Sequence, residues 1–215
     1  MVTLKIKYST ETSNLDIIQE YRKQYSSVLH CAYNLRFKDI SEKDTEHQLK
    51  VLNNISLIGS FLKRCAVKHA TQLLENKSDK PMIFGGKKNF LQRCQGKISK
   101  EEFRQKRLSK LYIIGEGNQH ANRFIQINSD LRSFTFKPNR NINIQLVING
   151  RYKRYQSILQ QLYILQQDKQ IPITYLLDNE YIYITYDESI VYKPCYKSIG
   201  NRVFAIDLNP NYIGW

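Results

Sequence analysis

The chain opens with a period of two. Val2, Leu4, Ile6 and Tyr8 alternate with Thr3, Lys5 and Lys7, the pattern of a half-buried β-strand. After Ser9 and Thr10 the period lengthens. Leu15, Ile18, Tyr21, Tyr25, Val28, Ala32 and Leu35 recur every three or four residues, which predicts an amphipathic helix of about 22 residues capped by Ser13 or Asn14. A shorter helix is expected over 42–53. A third follows with Ile58, Phe61, Leu62, Cys65, His69 and Leu73 on one face, ended by 76–81. Ser99-x-x-Glu102 reads as a capping box with Ile98 and Phe103 as its hydrophobic staple, so a basic helix starts near Ser99. Glu101 and Glu102 lie in its first turn and Arg104, Lys106, Arg107 and Lys110 in its body, as the helix dipole favours.

From about residue 121 the period returns to two. Phe124, Ile125 and Ile127, then Phe134 and Phe136, then Ile142, Ile144, Leu146 and Ile148 predict three strands, with Asn149-Gly150 as a hairpin-type turn. A helix between Tyr155 and Gln167 interrupts, carried by Ile158, Leu159, Leu162 and Leu165. Strands resume at Ile173–Leu177 and Tyr181–Tyr186 across Asp178-Asn179, with Tyr181 and Tyr183 on one face and Ile182, Ile184 and Tyr186 on the other. Tyrosines so placed serve either as packing residues or as stackers for nucleic-acid bases. One strand, about 110 residues of helix, and then the remaining strands make an α+β chain, a small β-barrel with a helical lobe inserted after its first strand.

Charge sharpens the functional reading. The 215 residues include 33 Lys and Arg against 19 Asp and Glu, a net charge of +14, which favours anionic partners. Half of that excess falls in 84–110, where Lys87, Lys88, Arg93, Lys97, Lys100, Arg104, Lys106, Arg107 and Lys110 face only Glu101 and Glu102. Phe84, Phe90 and Phe103 are interleaved with them and Gly85-Gly86 marks a turn or a close approach to a phosphate. A solvated charged helix also fits such a run. No run reaches the roughly 18 apolar residues of a membrane span and no basic helix carries a broad Trp/Leu/Phe face, so nucleic acid is the expected partner and a membrane is not.

Cys31, Cys65, Cys94 and Cys195 lack CxxC or CxxH partners, and His30, His47, His69 and His120 are scattered. Free thiols and ordinary histidines are expected, with no zinc site. No P-loop, HExxH, dinucleotide fingerprint or Ser/His/Asp arrangement is present. At the other end Val203–Ile206 reads as an apolar strand followed by Asp207. An Asp there either caps the following turn or, as in RNase H-like nucleases, holds a metal ion.

In three features the chain resembles the N-terminal half of the TnpB proteins of bacterial insertion sequences and of the type V CRISPR effector nucleases: the strand, helical insertion, strands order; the basic FGGKKNFLQRCQGKISKEEFRQKRLSKLYIIGEGNQHANRFIQI stretch; and the AIDLNPNYIGW ending. The resemblance implies an oligonucleotide-binding-like wedge barrel from 1–10 and 121–200, a helical recognition lobe over 11–120, and the first strand of an RNase H-like RuvC fold at 201–215. It implies guide RNA and target DNA as partners and a cytoplasmic setting in a prokaryote or phage. Lys87, Lys88, Arg93, Lys97, Arg104, Lys106 and Arg107, with Phe84, Phe90, Gly85 and Gly86, are the expected nucleic-acid contacts. Asp207 would be the first of three catalytic, metal-binding carboxylates. Glu180, Asp187 and Glu188 belong to the wedge and do not complete that site. Since the sequence stops eight residues after Asp207, at Trp215, Mg²⁺ is expected only if a longer or second chain supplies the rest of RuvC, and this chain alone is expected not to cut. The alternative is a stand-alone, nuclease-deficient RNA-binding module acting as repressor, inhibitor or assembly factor.

Overall fold

The computed structural model describes residues 1–52, 55–75, 80–150, 152–169, 171–191, 207–209 and 212–214, and after residue 189 the backbone alone. Its elements are β1 (Val2–Ser9), α1 (Thr12–Phe37), α2 (Glu42–Lys50), α3 (Ser60–Glu75), α4 (Lys87–Cys94), α5 (Lys100–Lys106), β2 (Leu111–Ile113), β3 (Ile125–Ile127), β4 (Ser133–Asn139), β5 (Ile142–Ile148), α6 (Gln156–Gln167), β6 (Thr174–Leu177), β7 (Tyr181–Tyr186), α7 (Glu188–Val191), β8 (Asp207–Asn209) and β9 (Tyr212–Gly214). The fold is α+β: strands β1 to β7 form one curled antiparallel sheet, a half-barrel in the order β2-β6-β7-β1-β5-β4-β3.

β1 divides its pairing. Val2 to Lys7 lie opposite Tyr186 to Tyr181 of β7, whereas Tyr8 and Ser9 lie opposite Ile148 and Val147 of β5. Where β1 has left β5, the hydroxyl of Tyr155 donates to the carbonyl of Lys5 at 3.2 Å, so the backbone group keeps a partner. Alternation sends Ile6, Phe134, Phe136, Ile144, Leu146, Tyr175, Ile182 and Ile184 inward, each 0% exposed. Helix α1 meets that face, with Tyr21 edge-on to Phe136 at 6.1 Å and its hydroxyl accepting from Asn139 at 3.2 Å.

The two sheet edges are joined by side chains. Fully buried Asn122 donates its amide to the carbonyls of Ile113, Ile114 and Ile173 at 3.3, 3.2 and 2.9 Å and accepts from the amides of Phe124 and Ile125 at 2.9 and 3.1 Å. Gln166 of α6 does the same for the outer edge of β3, accepting from the Ile127 amide at 2.9 Å and donating to its carbonyl at 3.0 Å. An edge so capped offers no ladder to another strand. At Gly115 the β2 end runs so close to β6 that a Cβ would strike the backbone of Ile173 and lie 2.7 Å from that of Pro172.

Several expectations need correction. Helix α1 has 26 residues and begins before Ser13, because extended Glu11 presents its carbonyl to the amides of both Asn14 and Leu15 at 3.1 Å; Asn14 instead donates to Thr10 at 3.3 Å. The segment 84–98 holds a helix of its own, α4. Helix α5 ends at Lys106 with Arg107 as its C-cap, since the chain must turn into β2, and Lys110 therefore lies outside the helix. Strand β2 falls within 11–120, the span expected to be helical lobe. Residues 203–206 lie outside the described residues; the backbone of Asp207 opens a short hairpin, opposite Gly214. Among the described residues no helix is long and apolar enough to cross a membrane.

Candidate nucleic-acid interface

The basic stretch folds as a helical hairpin laid against α1. Its first corner is the turn closed by the Gly86 amide on the Ile83 carbonyl at 2.9 Å, with Gly85 and Gly86 at φ +88° and +84°. A Cβ on Gly85 would lie 2.9 Å from Cγ of Arg107 and 3.3 Å from the Phe103 ring. Gly85 is thus a turn residue under close packing, while at Gly86, which opens α4, a Cβ would meet only the Asn89 amide, at 3.9 Å. Phe84 is a packing residue: its ring lies 3.8 Å from that of His30 and 5.4 Å, edge-on, from that of Tyr33. Phe90 and Phe103 join the two helices with centroids 6.2 Å apart, and Phe90 remains 41% exposed. The capping box forms as the spacing predicts, Ser99 Oγ accepting from the Glu102 amide at 2.9 Å.

Neither α4 nor α5 buries a single residue. Lys87, Lys88, Lys97, Arg104, Lys106 and Arg107 are exposed and Arg93 is half-buried. The two helices handle this charge differently. On α5, Arg104 lies 3.7 Å from Glu101 and Lys106 lies 3.3 Å from Glu102. On the α4 side, among the described residues, no carboxylate pairs with Lys87, Lys88, Arg93 or Lys97.

Between α1 and α5 runs an open cleft of about 540 Å³, walled by Lys23, Ser26, Ser27 and His30 on one side and by Glu101, Arg104, Gln105, Arg107 and Leu108 on the other. The Arg107 guanidinium donates to Nδ1 of His30 at 3.3 Å, and this pair divides the cleft from a smaller one of about 270 Å³ lined by Phe84, Phe90 and Phe103. Burial, then the charge of Arg107, pushes the His30 pKa down to about 4, so the ring stays a neutral acceptor. The junction below is fixed by α1. Ser26 accepts from the Ser109 amide at 2.8 Å and donates to the Arg22 carbonyl at 2.7 Å, while Arg22 reaches the Ser109 carbonyl at 3.2 Å and Asn179 at 2.6 Å. The Ser26 and Ser27 hydroxyls are engaged by the Arg22 and Lys23 carbonyls and Lys23 lies 3.3 Å from Glu20, so it is the cations Lys23, Arg104 and Arg107 with the Gln105 amide that suit a phosphate backbone.

The sequence pattern brought Arg104 and Arg107 to this place but missed the opposite wall. Lys23, Ser27 and His30 follow the i, i+4, i+7 spacing of one helical face, a signal present on the polar side of α1 and hidden behind its apolar stripe. His69 Nδ1 is 3.1 Å from the Tyr25 hydroxyl, and burial pushes its pKa down to about 4 and that of the Cys65 thiol up to about 12. Cys31, Cys65 and Cys94 are free thiols; Cys195 lies outside the described residues. Among the described residues no group of three or more His, Cys, Asp or Glu could hold a metal ion. The Asp178 and Asp187 carboxylates are engaged in turns, accepting from the Tyr181 amide at 2.7 Å and from the Ser189 amide at 3.0 Å. The side chain of Asp207 lies outside the described residues. No family model, curated protein or solved structure matches the chain.

Proposed function

We propose that the protein binds RNA, with the α4–α5 hairpin and the cleft between α1 and α5 contacting the phosphate backbone. One observation carries this reading: a hairpin that contributes nothing to the buried core presents Lys87, Lys88, Arg93 and Lys97 without carboxylate partners among the described residues. A purely solvated helix would gain from i,i+4 compensation, which α5 has and α4 lacks. The finer reading is an RNA-guided, DNA-targeting protein of the TnpB and type V class, in which the half-barrel is the wedge, the helices hold the guide scaffold and Asp207 is the first RuvC carboxylate. It is supported by the order of the elements, a strand, a helical excursion and then the remaining strands of one sheet.

Glu180 and Asp187 flank the six residues of β7 at opposite ends, about 20 Å apart at strand rise, too far to share an ion.

The test is a mobility-shift titration of the chain with a structured RNA and a DNA duplex of equal length, together with sequencing of any copurified RNA. Tighter binding of the structured RNA is the expected result, and a copurified long structured transcript would favour the guide-scaffold reading. Equal, weak binding of both would reject the proposal.

A further inference from the structure

The outward face of the β1–β7 ladder has a chemistry that the hairpin does not share. Tyr181 and Tyr183, both half-buried, stand side by side with ring centroids 6.4 Å apart. In the ladder register Lys7 lies opposite Tyr181 and Lys5 opposite Tyr183. The Lys5 ammonium sits 4.0 Å from the Tyr181 centroid and 5.8 Å from that of Tyr183, and the Lys110 ammonium sits 3.6 Å from the Tyr183 centroid. Two ammonium groups thus lie against two rings, with Lys7 opposite Tyr181 in the register, and among the described residues none of the three lysines has a carboxylate partner.

This is a property of the whole sheet. Not one Asp or Glu occurs in strands β1 to β7, which carry Lys5, Lys7 and Lys137. Acids flank β7 at both ends: in the β6–β7 turn Asp178 is held by the amides of Glu180 and Tyr181 at 2.9 and 2.7 Å and Glu180 is exposed, and beyond Tyr186 Asp187 accepts from the Ser189 amide at 3.0 Å. Among the described residues, aromatic faces are the counter-partners of the Lys5 and Lys110 ammonium groups, an arrangement that an anionic chain bearing flat, polarisable groups would improve.

We infer that this face is a stacking platform for unpaired nucleotides, with bases on Tyr181 and Tyr183 and phosphates on Lys5, Lys7 and Lys110. A single strand fits where a duplex does not, because only unpaired bases expose their faces to an aromatic ring. On binding, the ammonium groups exchange the ring faces for phosphates and the bases take their place. Lys110 lies three residues after Arg107, in the linker that Arg22 and Ser26 pin, so the platform continues the phosphate track of the cleft. The inference rests on the nucleic-acid reading above and adds to it the state of the bound strand.

The experiment compares an unpaired RNA of about eight nucleotides with its abasic counterpart of equal length and charge, by fluorescence anisotropy. The unaltered protein should bind the base-bearing strand at least about 10-fold more tightly, a test that needs no variant to fold. Tyr181→Leu/Tyr183→Leu should bind the two strands equally, whereas Tyr181→Phe/Tyr183→Phe should keep the preference. Lys87→Glu/Lys88→Glu/Arg93→Glu should weaken both strands and leave their ratio unchanged. Equal affinity of the unaltered protein for both strands overturns the platform while leaving backbone binding by the hairpin intact. Absence of binding to any nucleic acid overturns both readings. Self-association that the leucine pair abolishes would assign the face to a second copy of the chain and overturn the inference.

Discussion

Helices α1 and α3 bury nine and six residues respectively, and their facing polar groups are matched, as when Thr71 receives from Arg36 at 3.2 Å and donates to Glu42 at 2.7 Å. Helices α4 and α5 bury none and rest on α1 through Phe84, His30 and Arg107. The two pairs obey different demands. Sequence in the first pair is spent on packing, where a change of one methylene is felt; sequence in the second is spent on cations whose removal leaves the core untouched. A pair of helices that buries no residue and carries much of the charge is where a binding function can be altered at least cost to the core.

The largest effect expected from this contrast is on stability. Leu62→Ala, at a site 1% exposed, should cost about 2–5 kcal/mol, whereas Phe90→Ala on the hairpin should cost below about 1 kcal/mol. Chemical denaturation of the two variants checks the pair, and similar losses would place the hairpin in the core. The next effect is on pH dependence. His69 in the bundle and His30 beneath the hairpin both have folded-state pKa values of about 4, below the unfolded value of about 6.5. Their neutral forms are favoured by folding, so stability is complete above pH 6.5 and declines as the pH falls towards 4, by at most about 1.4 kcal/mol per pH unit for His69 and by less for the more solvent-screened His30. Denaturation midpoints measured between pH 7 and 4 should show that decline, and His69→Asn should reduce its slope more than His30→Asn does. A smaller effect comes from Gly85→Ala. Its φ of +88° and the 2.9 Å approach to Arg107 should cost about 1–2 kcal/mol, confined to the hairpin and read as faster hydrogen exchange in α4 and α5 with little change in α3.

The same contrast explains what was legible before folding. Long periodic segments declared themselves: the alternation of β1, the stripe of α1 and the capping box at Ser99 all depend on neighbours a few residues away. Strand β2 was hidden, because three residues cannot display a period and its partner, β6, lies more than sixty positions on. The sheet-edge roles of Asn122 and Gln166 were likewise invisible, since a polar residue in a loop or on a helix gives no sign of the distant backbone groups it will meet. The cationic residues of the candidate site could be named from composition. Their division into carboxylate-paired on α5 and uncompensated on α4 needed the i,i+3 and i,i+4 geometry of a helix ending at Lys106, and the α1 wall needed the tertiary fold.

The central claim is that the hairpin binds a phosphate backbone through charges the fold does not require, and the salt dependence of RNA affinity tests it most directly. For the unaltered chain, contact with about six to ten phosphates would lower affinity by roughly three to five decades between 50 and 200 mM salt. In Lys87→Glu/Lys88→Glu/Arg93→Glu the slope of log affinity against log salt should become shallower by about two to three, with the melting temperature nearly unchanged because surface charges without a carboxylate partner contribute little to stability. An unchanged slope in the variant, or an affinity of the unaltered chain that barely responds to salt, would contradict the account.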